Sequence, residues 1–221
     1  VIDTTRLNPE VAYLLHEYRQ VYKELNSNQK LSTAAAVPQS IASKNEVKPL
    51  LHSHWSQEEP YNKYTGYYTG CVATAVAQVM FYHKWPLVGR GQHTYTTRID
   101  QQQRSADFSK STYQWLNMDN DYRYGQYNET QANAVAHLMS DVGIAVNMQY
   151  SPNGSGTQDG NALNALREYF NYDATIITKA DEGPYHFTEI IKNELRNGFP
   201  LYISGSPGGG RSGHAWVADG F

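Results

Sequence analysis

The thirteen residues that follow Gly70, Cys71-Val-Ala-Thr-Ala-Val-Ala-Gln-Val-Met-Phe-Tyr-His83, contain no Asp, Glu, Lys or Arg. Their alanines and valines suit a helix, and such a helix has little polar face to give to water. It is stable only when other elements cover it on most sides. Gly70 opens it and Trp85-Pro86 closes it, because a proline and the residue before it resist helical geometry. Whatever this chain folds into is built around that helix.

The remaining periodicities supply the cover. Ala132, Val135, Ala136 and Met139 recur at helical steps and predict a helix from about Glu129 to Asp141, with Gly143 as a stop. A third helix is expected from near Asp159, carrying Leu163, Leu166 and Phe170. A fourth is expected over Thr188 to Asn197, with Ile190, Ile191 and Leu195 inward, Gly198 at its end and Pro200 beyond. The pattern then changes. Leu201 to Ser204 and His214 to Ala218 read as strands on either side of a glycine-rich loop, residues 205–213. Asp219-Gly220 is a hairpin turn signal, so a partner strand is expected after it, outside this sequence. Helices first and strands later predict an α+β fold whose sheet lacks its last part here.

Ahead of this domain, Val11, Leu14, Leu15, Tyr18, Val21, Tyr22 and Leu25 predict an amphipathic helix over residues 8–26, with Pro9 at its first position. Ser27 to Glu46 has the Ser, Ala, Gln and Asn content of a linker. The reading is therefore an N-terminal appendage over residues 1–44 and a main domain over residues 45–221. Val1 is not a natural start, so the chain reads as clipped at its front.

Composition narrows the function. One cysteine in 221 residues excludes a disulfide scaffold and any structural zinc site built from several thiolates. A net charge of −3 with scattered Lys and Arg argues against a nucleic-acid partner. No apolar run approaches the roughly 20 residues needed to span a bilayer, so no membrane insertion is expected. His52 with His54, and His83 with His93, lack the spacing and partner set of metal ligands. No metal and no cofactor are expected.

Three residues stand out chemically. Cys71 lies at the start of its helix, where free backbone N–H groups and the helix dipole favour a thiolate. On position alone an inert, packed cysteine fits equally well. His214 opens a strand after the glycine-rich loop and has the character of a general base for a distant thiol. A satisfied structural histidine is the alternative there. Gln57, in the polar loop Ser56-Gln57-Glu58-Glu59-Pro60-Tyr61-Asn62, carries an amide able to donate to an oxyanion, or simply faces solvent. The loop at 205–213 lacks the Gly-Lys-Ser/Thr of a phosphate-binding loop and reads as a flexible cleft edge.

Taken together, Thr69-Gly-Cys71 through His83, Gly213-His214-Ala-Trp-Val-Ala-Asp-Gly220, and Met139 through Tyr150 resemble the streptopain family of papain-like bacterial cysteine peptidases. The similarity runs from about Asn8 to Phe221. It implies a papain-like fold with a helical subdomain and an antiparallel sheet subdomain, and a Cys71–His214 dyad with Gln57 as oxyanion donor. It also implies a substrate cleft bordered by Tyr150 to Thr157 and by Gly213, with Ser155 and Gly156 as contacts. Protein and peptide substrates would be its partners. Residues 1–44 would be the end of an inhibitory propeptide cleaved between Ala36 and Glu46, and the enzyme would be secreted from a bacterium. An Asn-Trp segment that orients the histidine in the family is expected beyond Phe221. The same thiol chemistry would also serve an acyltransferase or a transglutaminase-like enzyme, and a papain-like shell without catalysis would be a binding module.

Overall fold

The computed structural model describes residues 46–206 and 213–221. The chain divides into two units, Val1–Lys44 and Asn45–Phe221, and the description concerns the second. The helix read over residues 8–26, nearly all of the linker after it, and residues 207–212 of the glycine-rich loop lie outside the described residues.

Helix α1, Cys71–His83, is the helix read from the sequence, and nine of its thirteen residues are buried, which makes it the central element. Val76 and Met80 are fully inaccessible, and each such side chain contributes about 1.5–3 kcal/mol of burial. Lys84 ends the helix in the left-handed conformation with φ 50°.

Helix α2, Glu129–Ala145, packs on α1. Its start is set by a capping box: Asn128 Oδ1 accepts from the Gln131 N–H at 3.0 Å and Gln131 Oε1 from the Asn128 N–H at 2.9 Å. Such caps contribute about 1 kcal/mol. The expected stop at Gly143 is not used, and the helix runs one residue pair further. Gly143 serves packing instead: a Cβ there would stand 2.1 Å from the hydroxyl of the buried Tyr150.

Helix α3, Asp159–Glu168, begins where the sequence placed it. A short helix α4, Lys179–Glu182, leads through Gly183 into α5, Pro184–Arg196. The last helix thus starts a turn before the expected Thr188, because Pro184 is preorganised for a first helical position. Leu195 is its buried residue, whereas Ile190 and Ile191 are only half-buried.

Among the described residues, four strands form two antiparallel pairs. Strands β3, Leu201–Gly205, and β4, His214–Ala218, pair with Gly205 opposite His214 and Ile203 opposite Trp216. β4 lies against α1. The other pair, β1 (Gln92–Thr96) with β2 (Gln103–Asp107), has no counterpart in the sequence reading. Its polar residues show no apolar alternation, and it is held by bonds to residues far along the chain. Tyr95 donates its hydroxyl to the Met148 carbonyl at 2.6 Å, and the His93 ring contacts Asn147 Oδ1 at 2.8 Å.

Asp219-Gly220 does not form a turn of the expected kind. Gly220 lacks the positive φ that such a turn requires. The segment runs beside the start of the domain, with Val47 and Phe221 exchanging backbone hydrogen bonds of 2.9 and 3.0 Å. A Cβ on Gly220 would lie 2.7 Å from the Val47 carbonyl, so close backbone approach accounts for the glycine.

Candidate active site

Cys71 is the first residue of α1, and the geometry before it is unusual. Gly70 has φ 87° and ψ 143°, a region that side-chain-bearing residues avoid. A Cβ there would also meet Met148 Sδ at 2.5 Å and the Ser155 carbonyl at 3.1 Å. Glycine is therefore required twice over at the residue preceding the thiol. The turn is fixed from the other side by Thr74, whose hydroxyl donates to the Gly70 carbonyl at 3.0 Å and lies 2.9 Å from that of Thr69. The thiol is half-buried, and among the described residues no side chain caps the helix N-terminus it sits on. The positive end of the helix dipole is left facing that position.

Gln57 reaches the same place through a different set of bonds. Trp55, buried and packed 4.6 Å from the Phe81 ring, anchors the approach. Gln78 of α1 accepts the Ser53 hydroxyl at 3.0 Å. On the far side of Gln57, Pro60 and Tyr61 are buried.

His214 is the first residue of β4, and the packing of that strand along α1 carries it to the cysteine's end of the helix. Its side chain is exposed on the face of the strand opposite Ala215, which is buried. The rings of His214 and Trp216 lie nearly parallel, with centroids 6.3 Å apart and an interplanar angle of 21°.

Cys71, His214 and Gln57 line one cleft of about 570 Å³. Three residues distant in sequence, a thiol, an imidazole and an amide, thus open onto one space. The cleft walls also include Trp55, Tyr68, Trp216 and Gly154, and Glu58 is the carboxylate among them. Ser155, Gly156 and Gly213 are not among the lining residues. Ser155 approaches Gly70 through its backbone, and Gly156 exchanges hydrogen bonds with Gln149 at 2.9 and 3.2 Å, closing the loop on which Gly154 is carried. Gly213 is exposed beside Gly205.

The sequence reading had passed over Trp216, Tyr68 and Glu58, whereas Gly154 lies within the stretch Tyr150 to Thr157 expected to border the cleft. For Trp216 a signal existed, since residues two apart on a strand share a face. Glu58 adjoins Gln57. Nothing local marked Tyr68.

Comparison with known proteins places these residues in a family. The model of the peptidase C10 family matches residues 55–221. Streptopain of Streptococcus pyogenes is 32% identical over 237 aligned positions, covering 95% of this chain. The chain spans 58% of the length of that protein. The thiol protease/hemagglutinin PrtT of Porphyromonas gingivalis is 33% identical over 201 positions, covering 84% of this chain and 22% of its own. Among solved structures, active wild-type interpain A cysteine protease of Prevotella intermedia superposes with a TM-score of 0.74 at 44% identity, covering 80% of this chain and 77% of its own. A prointerpain A fragment from the same organism gives a TM-score of 0.74 at 37% identity, covering 100% of this chain and 71% of its own. The chain belongs to the peptidase C10 family, the family of streptopain, and has the papain-like α+β fold of its cysteine peptidases.

Proposed function

We propose that this protein is a secreted cysteine endopeptidase acting on proteins and peptides, with Cys71 as nucleophile, His214 as its acid and base, and Gln57 as an oxyanion donor. The observation that carries the reading is the convergence of these three side chains on one cleft, in a chain of the C10 family.

The chemistry runs in two halves. The Cys71 thiolate adds to the carbonyl carbon of a peptide bond, and the oxygen takes up the negative charge. Gln57 and the N-terminal N–H groups of α1 hold that oxyanion. The His214 imidazolium gives its proton to the amide nitrogen, the C–N bond breaks, and the amine leaves a thioester on Cys71. Neutral His214 then takes a proton from water as the oxygen adds to the thioester. Collapse expels the thiolate and releases the carboxylic acid, with the imidazolium restored. A protein transferring the acyl group to an amine would follow the same first half, and product analysis with an added amine separates the two.

Residues 1–44 act in this reading as the end of a propeptide that blocks the site until it is cut away. The supporting observation is one of coverage: prointerpain A matches the whole chain, and active interpain A 80% of it. The unmatched fifth is about the length of residues 1–44. N-terminal sequencing of an active preparation is expected to begin between Ala36 and Glu46. Fully active enzyme that retains residue 1 would refute the propeptide role.

The decisive experiment for the activity is intact-mass analysis after a thiol-directed epoxide across pH 4 to 9, on the full protein and on protein lacking residues 1–44. Stoichiometric labelling well below the ordinary thiol range of about 8.5 supports an activated Cys71. Labelling confined to that range in both samples overturns it.

A further inference from the structure

Trp216 has no evident reason to be tryptophan on packing grounds. It is 45% exposed, while its neighbours Ala215 and Val217 supply the face of β4 that enters the core. Two contacts nonetheless define where its indole lies. The six-membered ring rests over Gly205, with Cη2 and Cζ3 at 3.5 and 4.0 Å from the point a Cβ would occupy there. Gly205 is the residue that pairs with His214, whereas Trp216 itself pairs with Ile203. The indole therefore crosses the ladder diagonally, toward the strand partner of the histidine. On that path it comes alongside the imidazole, at the 6.3 Å and 21° given above, a separation typical of interacting aromatic rings.

We infer that Trp216 is a positioning residue for His214: braced on the bare backbone of Gly205, its indole holds the imidazole in the orientation that serves Cys71. The inference rests on the reading of Cys71 and His214 as a dyad. An exposed histidine on the end of a strand has several staggered side-chain orientations open to it, and only one presents a ring nitrogen to the thiol. An aromatic plane along one side of the ring removes the alternatives. It also faces a ring that becomes a cation in each cycle, which aromatic groups favour. Gly205 is part of the device, because a branched side chain there would push the indole off its seat. Its own backbone does not require glycine, since its φ is not in the left-handed region.

The alternative role, a wall that merely contacts substrate, gives a different kinetic signature. The test compares the protein from which residues 1–44 have been cut away with its Trp216→Ala, Trp216→Phe, Gly205→Val and Trp216→Ala/Gly205→Val variants, cut in the same way. Each is assayed for kcat and KM on one peptide, with functional sites counted by covalent labelling of Cys71. A positioning role predicts that W216A lowers kcat by about 10–100-fold with KM within about twofold, since small misplacements of a catalytic group have effects of that size. W216F, which keeps an aromatic plane, is expected to recover most of the loss. G205V is expected to lower kcat in the wild-type background and to add little to W216A, because both act through the same ring. A raised KM with kcat intact, or full loss in G205V on top of W216A, would overturn the positioning role. A wild-type protein that neither cleaves the peptide nor labels at Cys71 would instead overturn the dyad reading, and the inference with it.

Discussion

The backbone N–H of Thr69 donates to the carbonyl of Gln57 at 3.1 Å. This bond joins the loop that carries the amide to the residue two before the thiol, so the two move together. A donor and a nucleophile must share one frame if the donor is to meet an oxygen whose position the nucleophile sets.

Replacement of Gln57 by Ala is expected to reduce kcat by about 10²–10³-fold, the loss of about 2.7–4 kcal/mol that one oxyanion donor supplies. The Thr69 bond uses the backbone of Gln57 and survives the change, and the side chain is only half-buried. The unfolding midpoint should therefore barely move. Steady-state kinetics beside a urea titration checks both parts, and undiminished kcat would remove Gln57 from the mechanism.

Gly70→Ala should destabilise the domain by about 1–3 kcal/mol, because φ 87° with ψ 143° is a conformation alanine adopts only under strain. The Met148 contact is the softer obstacle, as the methionine side chain can swing away. Truncating it in a Gly70→Ala/Met148→Ala double variant should therefore restore little. Denaturant unfolding of the three proteins decides: substantial rescue would mean that steric contact, not backbone conformation, dictates the glycine.

Gly143 and Tyr150 should be strongly coupled. Alanine is the better helix former by about 1 kcal/mol, yet its Cβ would stand 2.1 Å from the Tyr150 hydroxyl. Gly143→Ala alone is expected to be destabilising by about 1–3 kcal/mol through overpacking. The hydroxyl is buried without a hydrogen-bond partner among the described residues, so Tyr150→Phe should be neutral or stabilising. Combined, Gly143→Ala/Tyr150→Phe should approach wild type or exceed it. Additive losses in a thermal-unfolding cycle would show that the hydroxyl is not the obstacle.

Asp141 gives a pH dependence. Burial pushes its carboxyl above the ordinary range, and the Ser111 hydroxyl, the His137 ring and the Tyr113 hydroxyl only partly oppose this. Tyr113 donates to Oδ2 at 3.0 Å, and His137 Nε2 lies 3.5 Å from the same oxygen. The folded state thus holds the proton more tightly than the unfolded chain. The contribution to stability is complete below the ordinary value of about 3.9 and is lost as pH rises through the folded value. Asp141→Asn keeps an acceptor for Tyr113 and has no proton to lose. Its stability relative to wild type should therefore improve from pH 3.5 to 8. A difference that is flat, or that runs the other way, would show that the buried carboxylate is fully compensated.

The sequence by itself determined the elements whose signal is local. The charge-free run after Gly70 specified α1 with Cys71 at its first position, and the strand-like runs Leu201 to Ser204 and His214 to Ala218 specified β3 and β4. Helical periodicity and glycine or proline punctuation are properties of neighbouring residues, and the backbone obeys them before any long-range contact forms. The tertiary structure decided the rest. Gly143 looks like a helix stop and Gly220 like half of a turn. Each is glycine because a distant group, the Tyr150 hydroxyl in one case and the Val47 carbonyl in the other, occupies the space of a side chain. The β1–β2 pair is polar and takes its support from Asn147 and Met148. The family resemblance named Cys71, His214 and Gln57 together. Their meeting in one cleft, and the place of Trp216 beside the histidine, follow from β4 packing along α1, a contact between residues far apart in the chain that no local pattern encodes.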